Sequence, residues 1–295
     1  MKVFVTGSTG FIGSAVVDEL VQAGHEVLGL ARNDAGAAKL DAQGAKAHRG
    51  TLEDLESLKA GARQADGVIH LAFVHTFPGV MFAVGKDARA IDAVGSVLEG
   101  SGKPLVTAGG VISLRPGEIL TEDYAPTSNP RKSESATRAW AARGVRASVI
   151  RLSPTVHGTG DKAFVSMLVG HARKNRAAYF VGDGQQRWPG VHRLDAARLF
   201  RLALERGKAD RAYHGVADES VPFFDIAAAI GKGVGVPAKS RSKVGALWSL
   251  GFLGALAAID SPASSRLTQE ELGWKPTNPT LMQDLEAGIY FSRAH

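Results

Sequence analysis

The chain has 295 residues, of which 44% are hydrophobic and 22% are charged, a composition typical of a folded globular protein. At roughly 150 residues per domain, this length predicts one large α/β unit or two closely coupled parts. The formal net charge of +6 comes from Lys and Arg residues scattered among acids, which argues against a nucleic-acid partner. The sequence contains no cysteine, which excludes disulfides, thiolate nucleophiles and cysteine zinc sites and favours a cytoplasmic location.

The apolar segments do not predict a membrane partner. Met1 is followed directly by the apolar run at 3–5, so we expect no charged leader of a secretory signal. The longest apolar stretch, at 245–258, is shorter than the roughly 20 residues of a spanning helix. We interpret this stretch as a buried or lid helix, with membrane attachment as the alternative.

Short β-rich runs alternate with helical segments through the first half of the chain. The β-rich runs are MKVFVTG, EVLGLAR, AKAHRG, GVIHLAF, PLVTAGG and RASVIRLSP. The helices between them are predicted at 10–23, 35–43, 52–62, 83–100 and 133–143. This alternation predicts a parallel sheet, and the nearly continuous apolar strands predict helices on both faces. The predicted fold class is therefore α/β, with a doubly wound parallel Rossmann sheet.

The pattern loosens beyond Pro154. Further helices are predicted near 164–174, 195–206, 224–233 and 281–291. We assign residues 1–160 to a dinucleotide-binding domain, to which 188–216 return. The remaining segments, 161–187 and 217–295, are predicted to form a smaller C-terminal α/β substrate-binding region.

The run VTGSTGFIG stands where the first strand meets the first helix. Its glycines, Gly7, Gly10 and Gly13, provide a tight turn, a close backbone approach to phosphate and close packing of the helix on the strand. The helix N-terminus adds free N–H groups and a partial positive charge. The pattern predicts a site for the diphosphate of a dinucleotide, with a plain strand-to-helix turn as the alternative.

Arg32 follows the second strand, where the ribose of the adenosine half is read. An acidic residue there would accept from a 2′-hydroxyl, whereas a guanidinium pairs with a 2′-phosphate. We therefore expect NADP(H) in preference to NAD(H), with a solvated strand-end charge as the alternative interpretation.

Five motifs together resemble the extended short-chain dehydrogenase/reductase family, including its NAD(P)-dependent epimerase/dehydratase branch, over essentially the whole chain. They are TGSTGFIG at 6–13, HLA at 70–72, RLSPTVHG at 151–158, VHRLDAA at 191–197 and ELGWKP at 271–276. The resemblance implies that the diphosphate lies on the loop and that Leu52 lies by the adenine. The implied loop contacts are Gly7, Ser8, Thr9, Gly10, Phe11 and Ile12, with Gly13 completing the glycine pattern. The implied ribose contacts are Leu71, Ala72 and Phe73, and the implied nicotinamide contacts are Pro154, Thr155 and Val156.

The same resemblance implies a catalytic Tyr-x-x-x-Lys after the fifth strand and a hydroxyl side chain at that strand's end. The tyrosine would exchange a proton with the substrate oxygen, and the lysine would lower the pKa of the tyrosine. The sequence has four tyrosines, none followed by lysine four positions later: Tyr124, Tyr179, Tyr213 and Tyr290. Ala108 stands at the expected place of the serine, beside Thr107.

Two registers are open where the motif is expected, in TSNPRKSESA. If Lys132 takes the place of the lysine, Ser128 takes that of the tyrosine. If Glu134 aligns with the glutamate that follows the lysine by four, Pro130 and Pro126 take the two places. Either register loses the tyrosine.

Polar residues near the expected site are candidates for the missing proton donor: Thr107, Tyr124, Lys132 and His157. Residues predicted to line the substrate pocket are His75, Arg187, Trp188 and His192. For the segment 182–195, we prefer the interpretation of a domain-junction network with an ion pair between Arg193 and Asp195, and a pocket lining is the alternative. The dispersed histidines predict no metal site.

These observations predict an atypical NADP(H)-dependent oxidoreductase that acts on a small carbonyl or hydroxyl compound with a non-standard proton donor. A catalytically silent NADP(H)-binding sensor or partner-binding protein is the alternative, and an epimerase or dehydratase is the third possibility. The resemblance also allows a homodimer formed through the helices at 83–100 and 133–143.

Overall fold

The computed structural model describes residues 1–73, 80–112, 117–124 and 132–291, except for the side chains of 80–84. The elements of the first half are β1 (Lys2–Thr6), α1 (Phe11–Gln22), β2 (Glu26–Ala31), α2 (Asp34–Ala42), β3 (Lys46–Arg49), α3 (Leu55–Arg63), β4 (Gly67–His70), α4 (Val80–Leu98), β5 (Pro104–Gly110), α5 (Ser133–Ala141) and β6 (Arg146–Leu152). The elements of the second half are β7 (Thr155–His157), α6 (Phe164–Asn175), β8 (Ala178–Val181), β9 (Arg187–His192), α7 (Arg193–Arg206), β10 (Arg211–Gly215), β11 (Asp218–Pro222), α8 (Phe223–Val234), β12 (Ala238–Arg241), α9 (Lys243–Leu250), α10 (Phe252–Ala257), α11 (Arg266–Leu272) and α12 (Leu281–Glu286).

Seven strands form one parallel sheet in the order β10, β6, β5, β4, β1, β2, β3. The predicted fold class, a doubly wound Rossmann sheet, is therefore confirmed. The strand order reverses between β1 and β4, and in such sheets a ligand binds in the crevice beyond the carboxyl ends of the strands at that switch point. The loop predicted to hold a diphosphate follows β1 and so lies at this crevice.

Helices cover both faces of the sheet, which explains the nearly continuous apolar strands. One face packs against α1 and α7 around Val5, Leu20 and Phe200. The other packs against α3, α4 and α5 around Phe4 and Ile91. Because α7 and β10 come from the second half, the chain returns to the large sheet after its first excursion.

Two small sheets and a separate apolar cluster make up much of the second half. The strands β11, β9 and β7 form one sheet, and β12 pairs with β8 in the other. The cluster includes Val169, Trp188, Phe223 and Leu285 from four different elements. Sequence patterns predicted none of the strands after β6, because beyond Pro154 the apolar runs no longer alternate regularly with helical segments. The proposed division into a dinucleotide-binding and a substrate-binding part stays a prediction.

The apolar stretch at 245–258 does not form one buried helix. It is divided between α9 and α10 by Gly251, whose φ of +60° is poorly tolerated by other residues. Ala246 and Leu253 are fully buried, whereas Leu247 and Trp248 are exposed. Among the described residues, no helix is long and apolar enough to cross a membrane.

Candidate cofactor-binding and active site

Two glycines of the loop after β1 occupy positions that leave no room for a side chain. Gly7 has a φ of +68°, and a Cβ atom added to it would lie 2.7 Å from the backbone nitrogen of Ala72. A Cβ atom on Gly13 would lie 2.0 Å from the carbonyl oxygen of Gly7. The loop is thus held against α1 and against the end of β4. This backbone approach matches what a dinucleotide loop requires.

The N-terminus of α1 is open at this loop. Its N-cap residue is Gly10, which offers no side-chain cap, and its first turn contains no acid. The first N–H groups of the helix therefore keep their partial positive charge for an external anion. Ser8 is buried and donates to the carbonyl of Leu30 at 2.9 Å, so its side chain supports the loop from inside.

Arg193 lies over the ring of Phe11, with the guanidinium carbon 5.2 Å from the ring centre. It also donates to the carbonyl of Thr159 at 3.1 Å. The start of α7 and the turn after β7 therefore meet the first turn of α1. The predicted ion pair between Arg193 and Asp195 is wrong, because Asp195 pairs with Arg198 at 2.9 Å.

Arg32 stands free at the carboxyl end of β2. It is exposed, and it makes no hydrogen bond or ion pair within the part of the chain that the structure describes. The next residue, Asn33, caps α2 through Gly36, and Lys39 of α2 donates to the carbonyl of Thr9 at 3.0 Å. Two cationic side chains therefore lie on α2 or just before it, beside the loop.

The other residues that the resemblance implies as cofactor contacts fall into three groups. A Cβ atom added to Gly7 would meet the backbone of Leu71 and Ala72, and these two residues and Phe73 are half-buried. Leu52 packs on the apolar cluster that contains Phe4. In the third group, Pro154 and Val156 are half-buried, whereas Thr155 is buried and donates to the carbonyl of Pro189. Whether any of them contacts a cofactor stays a prediction.

A chain of buried hydrogen bonds runs from β1 to the start of α5. The hydroxyl of Thr6 bonds Nδ1 of His70 at 2.9 Å, and Nε2 of His70 lies 3.3 Å from Asp87 of α4. The hydroxyl of Ser133 donates to the other carboxylate oxygen of Asp87. All four side chains are at most 3% exposed. The strand that leads into the glycine loop is thereby linked to the first residue of α5, a connection that sequence patterns did not reveal.

Thr107, a candidate proton donor, is fully buried on β5. Its hydroxyl bonds that of Thr137 on α5 at 2.8 Å, and Thr137 itself donates to the carbonyl of Ser133. This arrangement leaves Thr107 no exposed surface. Its catalytic role stays a prediction.

A second buried network surrounds the Arg151 side chain. Its guanidinium makes a two-bond contact with Glu134 of α5, at 2.6 and 3.0 Å, and lies 3.3 Å from Nε2 of His214. It also reaches the carbonyl of Glu122, whose carboxylate accepts from Thr268 of α11. Loop 117–124, α5, β6 and β10 are therefore joined by charged groups that are almost fully buried.

Two pKa values in this network are shifted. Burial opposes ionisation of Glu134, but the hydrogen bonds and charges of Arg151 and Arg138 outweigh it and keep the pKa of Glu134 below its ordinary value. Burial lowers the pKa of His214 to about 4, assisted by the charge of Arg151. At neutral pH the network consists of an ionised pair beside a neutral imidazole.

Lys132 and Tyr124 are the candidates with exposed surface. Lys132 immediately precedes α5 and is exposed. Tyr124 is half-buried and packs on the small cluster of Val111, Leu120 and Val216. Ser128, Pro126 and Pro130, which mark the two possible registers of the missing motif, lie outside the described residues, as does His75.

His157, on β7, is fully buried. Its Nδ1 lies 2.6 Å from Asp284 of α12, its Nε2 lies 3.8 Å from Asp218, and its ring meets that of His192 edge to face. Burial and the neighbouring His157 lower the pKa of His192. The group ties β7 and β9 to α12, and it gives His157 no exposed surface for a substrate.

The remaining predicted pocket residues point in different directions. Arg187 makes a two-bond contact with Asp260, at 2.7 and 2.9 Å. This bonding and the charge of Arg187 lower the pKa of Asp260 to about 2 despite some burial. Trp188 is buried against Phe223 and Phe164, and His192 caps α7. The structure thus gives each of these side chains an internal partner.

Tyr290, Tyr213 and Tyr179 also have internal partners. Tyr290 donates to Asp161 and accepts from the backbone N–H of Gly158. Burial and the charge of Asp161 raise the pKa of Tyr290 far above its ordinary value. Tyr213 accepts from a backbone N–H, and Tyr179 accepts from an arginine.

Residues 3–96 match the family model described as NAD dependent epimerase/dehydratase family. An uncharacterized protein of Schizosaccharomyces pombe is 48% identical over 99% of this chain and 100% of its own length. A 2-alkyl-3-oxoalkanoate reductase of Stenotrophomonas maltophilia is 28% identical over 92% of this chain and 89% of its own. Among solved structures, a dTDP-glucose 4,6-dehydratase from Streptomyces venezuelae with NAD bound superposes with a TM-score of 0.80 at 18% identity, covering 100% of this chain and 98% of its own.

Proposed function

The chain belongs to the NAD dependent epimerase/dehydratase family, and we propose that it is an NADP(H)-dependent oxidoreductase that acts on a small carbonyl or hydroxyl compound. The observation that carries the proposal is the open N-terminus of α1 above two glycines with no room for a side chain. A loop shaped in this way accepts a diphosphate through backbone N–H groups. The name of the reductase from Stenotrophomonas maltophilia is consistent with carbonyl reduction in a relative of similar length.

The preference for NADP(H) rests on Arg32. Its guanidinium is exposed and has no partner among the described residues, so pairing it with a 2′-phosphate breaks none of the interactions described. Lys39 donates to the carbonyl of Thr9 in the loop and adds a second positive charge there. An acidic residue, which would select the unphosphorylated ribose, does not follow β2 directly.

The cofactor preference can be tested by measuring the affinities for NADPH and NADH in the purified protein and in Arg32→Asp. We expect the variant to lose affinity for NADPH by about tenfold or more, since a charged hydrogen bond contributes roughly 1.5–3 kcal/mol. Its affinity for NADH should change little. Arg63→Asp, which changes an exposed arginine on α3, is the matched control. Equal affinities for both cofactors in the unaltered protein would refute the preference.

The bound cofactor would supply the hydride, so the chain must supply the proton. We propose Lys132 as the leading candidate, because it is exposed and lies next to Ser133, the last member of the buried chain that begins at the glycine loop. Tyr124 is the second candidate. Thr107 and His157 are weaker ones because both are fully buried and hydrogen-bonded.

Activity can be tested by following NADPH absorbance with a panel of small ketones and aldehydes. We expect turnover that Lys132→Met lowers by about 100-fold, the usual range for loss of a proton donor, without loss of NADPH affinity. Lys162→Met, in the turn before α6, is the control. Tight NADPH binding without turnover on any compound would refute the oxidoreductase.

Tight NADPH binding without turnover would favour the alternative, a catalytically silent NADP(H)-binding protein. The side chains of Thr107, His157 and Tyr290 are hydrogen-bonded within the protein, which also favours this alternative. It predicts that NADPH raises the thermal unfolding temperature while no carbonyl compound changes NADPH absorbance.

A further inference from the structure

Helix α9 exposes an apolar face to solvent. Val244, Leu247 and Trp248 are 66%, 51% and 86% exposed, and their spacing of three and four residues places them on one side of the helix. The opposite side, with Ala246 and Leu250, is buried in the second apolar cluster. The indole of Trp248 is 86% exposed, and large apolar side chains exposed together often mark a surface that another molecule covers.

Positive charge surrounds this face. Lys243 opens α9, and Lys239 lies on β12, which leads into it. Lys174 and Arg176 flank Asn175, whose side chain donates to the carbonyl of Ser249, next to Trp248.

These four cations are exposed, and none forms an ion pair within the described ranges. The sequence contains no acidic residue between Asp225 and Asp260, nor between Asp161 and Asp183. No acidic residue of these two segments therefore offsets the positive charge of the four cations.

We propose that this face, formed by Val244, Leu247 and Trp248 with the surrounding lysines and arginine, binds an anionic phospholipid surface. Interfacial helices combine an aromatic and aliphatic face with flanking Lys and Arg, and the indole of tryptophan favours the headgroup region. A second copy of the chain would bring two basic surfaces together, and a nucleic acid would leave the apolar centre unsatisfied.

The proposal differs from the expectation that the protein has no membrane partner. That expectation came from the length of the apolar stretch, which concerns spanning helices. A helix that lies in the interface needs only one exposed apolar face.

Trp248 makes the test direct, because the other three tryptophans, Trp140, Trp188 and Trp274, are at most 5% exposed. The protein is mixed with phosphatidylcholine vesicles that contain or lack phosphatidylserine, and emission and sedimentation are measured. We expect a blue shift and co-sedimentation only with phosphatidylserine, and release at high salt because the attraction is screened.

Variants separate the apolar and electrostatic parts of the interaction. Trp248→Ala should abolish the blue shift and weaken sedimentation. Lys239→Glu/Lys243→Glu should weaken sedimentation by about tenfold or more, since each basic residue near such a surface contributes about 1 kcal/mol. The matched controls are Ile119→Ala, which removes another exposed apolar side chain, and Arg63→Glu/Arg266→Glu, which makes the same change in net charge.

Three outcomes would overturn the proposal. They are equal behaviour with and without phosphatidylserine, sedimentation unchanged in both variants, and a dimer in light scattering that Trp248→Ala dissociates. None depends on whether the protein oxidises NADPH, so the lipid proposal and the proposed function fail separately. Circular dichroism melts of the variants verify that each is folded, which exposed positions should permit.

Discussion

The glycine loop of α1 and the start of α5 both lie at carboxyl ends of sheet strands, but they are held in opposite ways. The loop is shaped by the absence of side chains at Gly7 and Gly13. The start of α5 is held by buried polar side chains, chiefly Glu134 against Arg151 and Ser133 against Asp87. The first arrangement leaves N–H groups open to a ligand, whereas the second uses its polar groups internally. The proposed cofactor loop and the proposed proton-transfer region are thus held by different kinds of interaction, although the buried chain from Thr6 to Ser133 links them.

The largest expected effect is on the buried pair of Glu134 and Arg151. Glu134→Gln leaves a guanidinium that is 4% exposed without its counter-charge, and removing one partner of a buried ion pair costs about 3–5 kcal/mol. Urea unfolding followed by circular dichroism measures the loss.

The matched control is Glu99→Gln, which removes the partner of Arg143 in a pair that is about half exposed. Such a surface pair contributes about 0–1 kcal/mol. Equal losses of unfolding free energy in Glu134→Gln and Glu99→Gln would mean that the buried pair contributes no more to stability than the exposed one.

The next effect is a dependence of stability on pH through His214. Its pKa in the folded protein is about 4, whereas an unperturbed histidine has a pKa near 6.5. Between these values the unfolded chain binds more protons than the folded one, so stability falls as the pH falls through this window, by about 3 kcal/mol in total.

The measurement is the free energy of unfolding on both sides of this window. His214→Asn should flatten the dependence, although it destabilises the protein at neutral pH. His171→Asn, a half-buried histidine on α6, serves as the control. An unchanged slope in His214→Asn would assign the acid sensitivity to other groups.

The smallest of the three effects is on the glycine loop. Gly13→Ala forces a Cβ atom towards the carbonyl of Gly7, and overpacking of this kind costs about 1–3 kcal/mol. We also expect NADPH affinity to fall, because the loop must shift. Calorimetry with NADPH and thermal melts measure the two effects.

Gly85→Ala on α4 is the matched control, since no atom of the residues that the structure describes lies within 4 Å of its added Cβ. Alanine is the better helix former by about 0.5–1 kcal/mol, so this variant should be neutral or more stable. An unchanged melting temperature and an unchanged NADPH affinity in Gly13→Ala would contradict the view that the loop is shaped by the absence of a side chain at Gly13.

The sheet and the glycine loop were predictable because each depends on neighbours in sequence. Alternation of apolar runs and helices predicted six of the seven strands of the large sheet, all but β10, and the glycine spacing predicted the tight turn at Gly7 and the close packing at Gly13. The pairing of His70 with Asp87, and of Asp87 with Ser133, joins positions 17 and 46 residues apart and leaves no local pattern. The pairing of Asp195 with Arg198, by contrast, is local: residues three apart lie on the same side of α7, whereas residues two apart, such as Arg193 and Asp195, do not.

The second half was less predictable for a related reason. Its strands are short, and its helices depend on contacts with distant segments. The helix expected at 281–291 begins as predicted, after a capping box at Thr280, but it ends at Glu286. Predicted pocket residues such as Trp188 could not be assigned from residue type alone. An apolar side chain can line a pocket or pack in a core, and a charged one can bind a ligand or form an ion pair.

The long-range contacts of the polar networks also bear on how the chain folds during synthesis. Glu122 meets Thr268 across 146 positions, and His157 meets Asp284 across 127. Closing such loops is entropically costly and slows folding. The amino-terminal βα units can form during synthesis of the chain. The hydrogen bonds of Glu122 and His157 form only after Thr268 and Asp284 have been synthesised. Truncation at the carboxyl terminus should therefore affect the region around α5 and β7 before it affects the glycine loop.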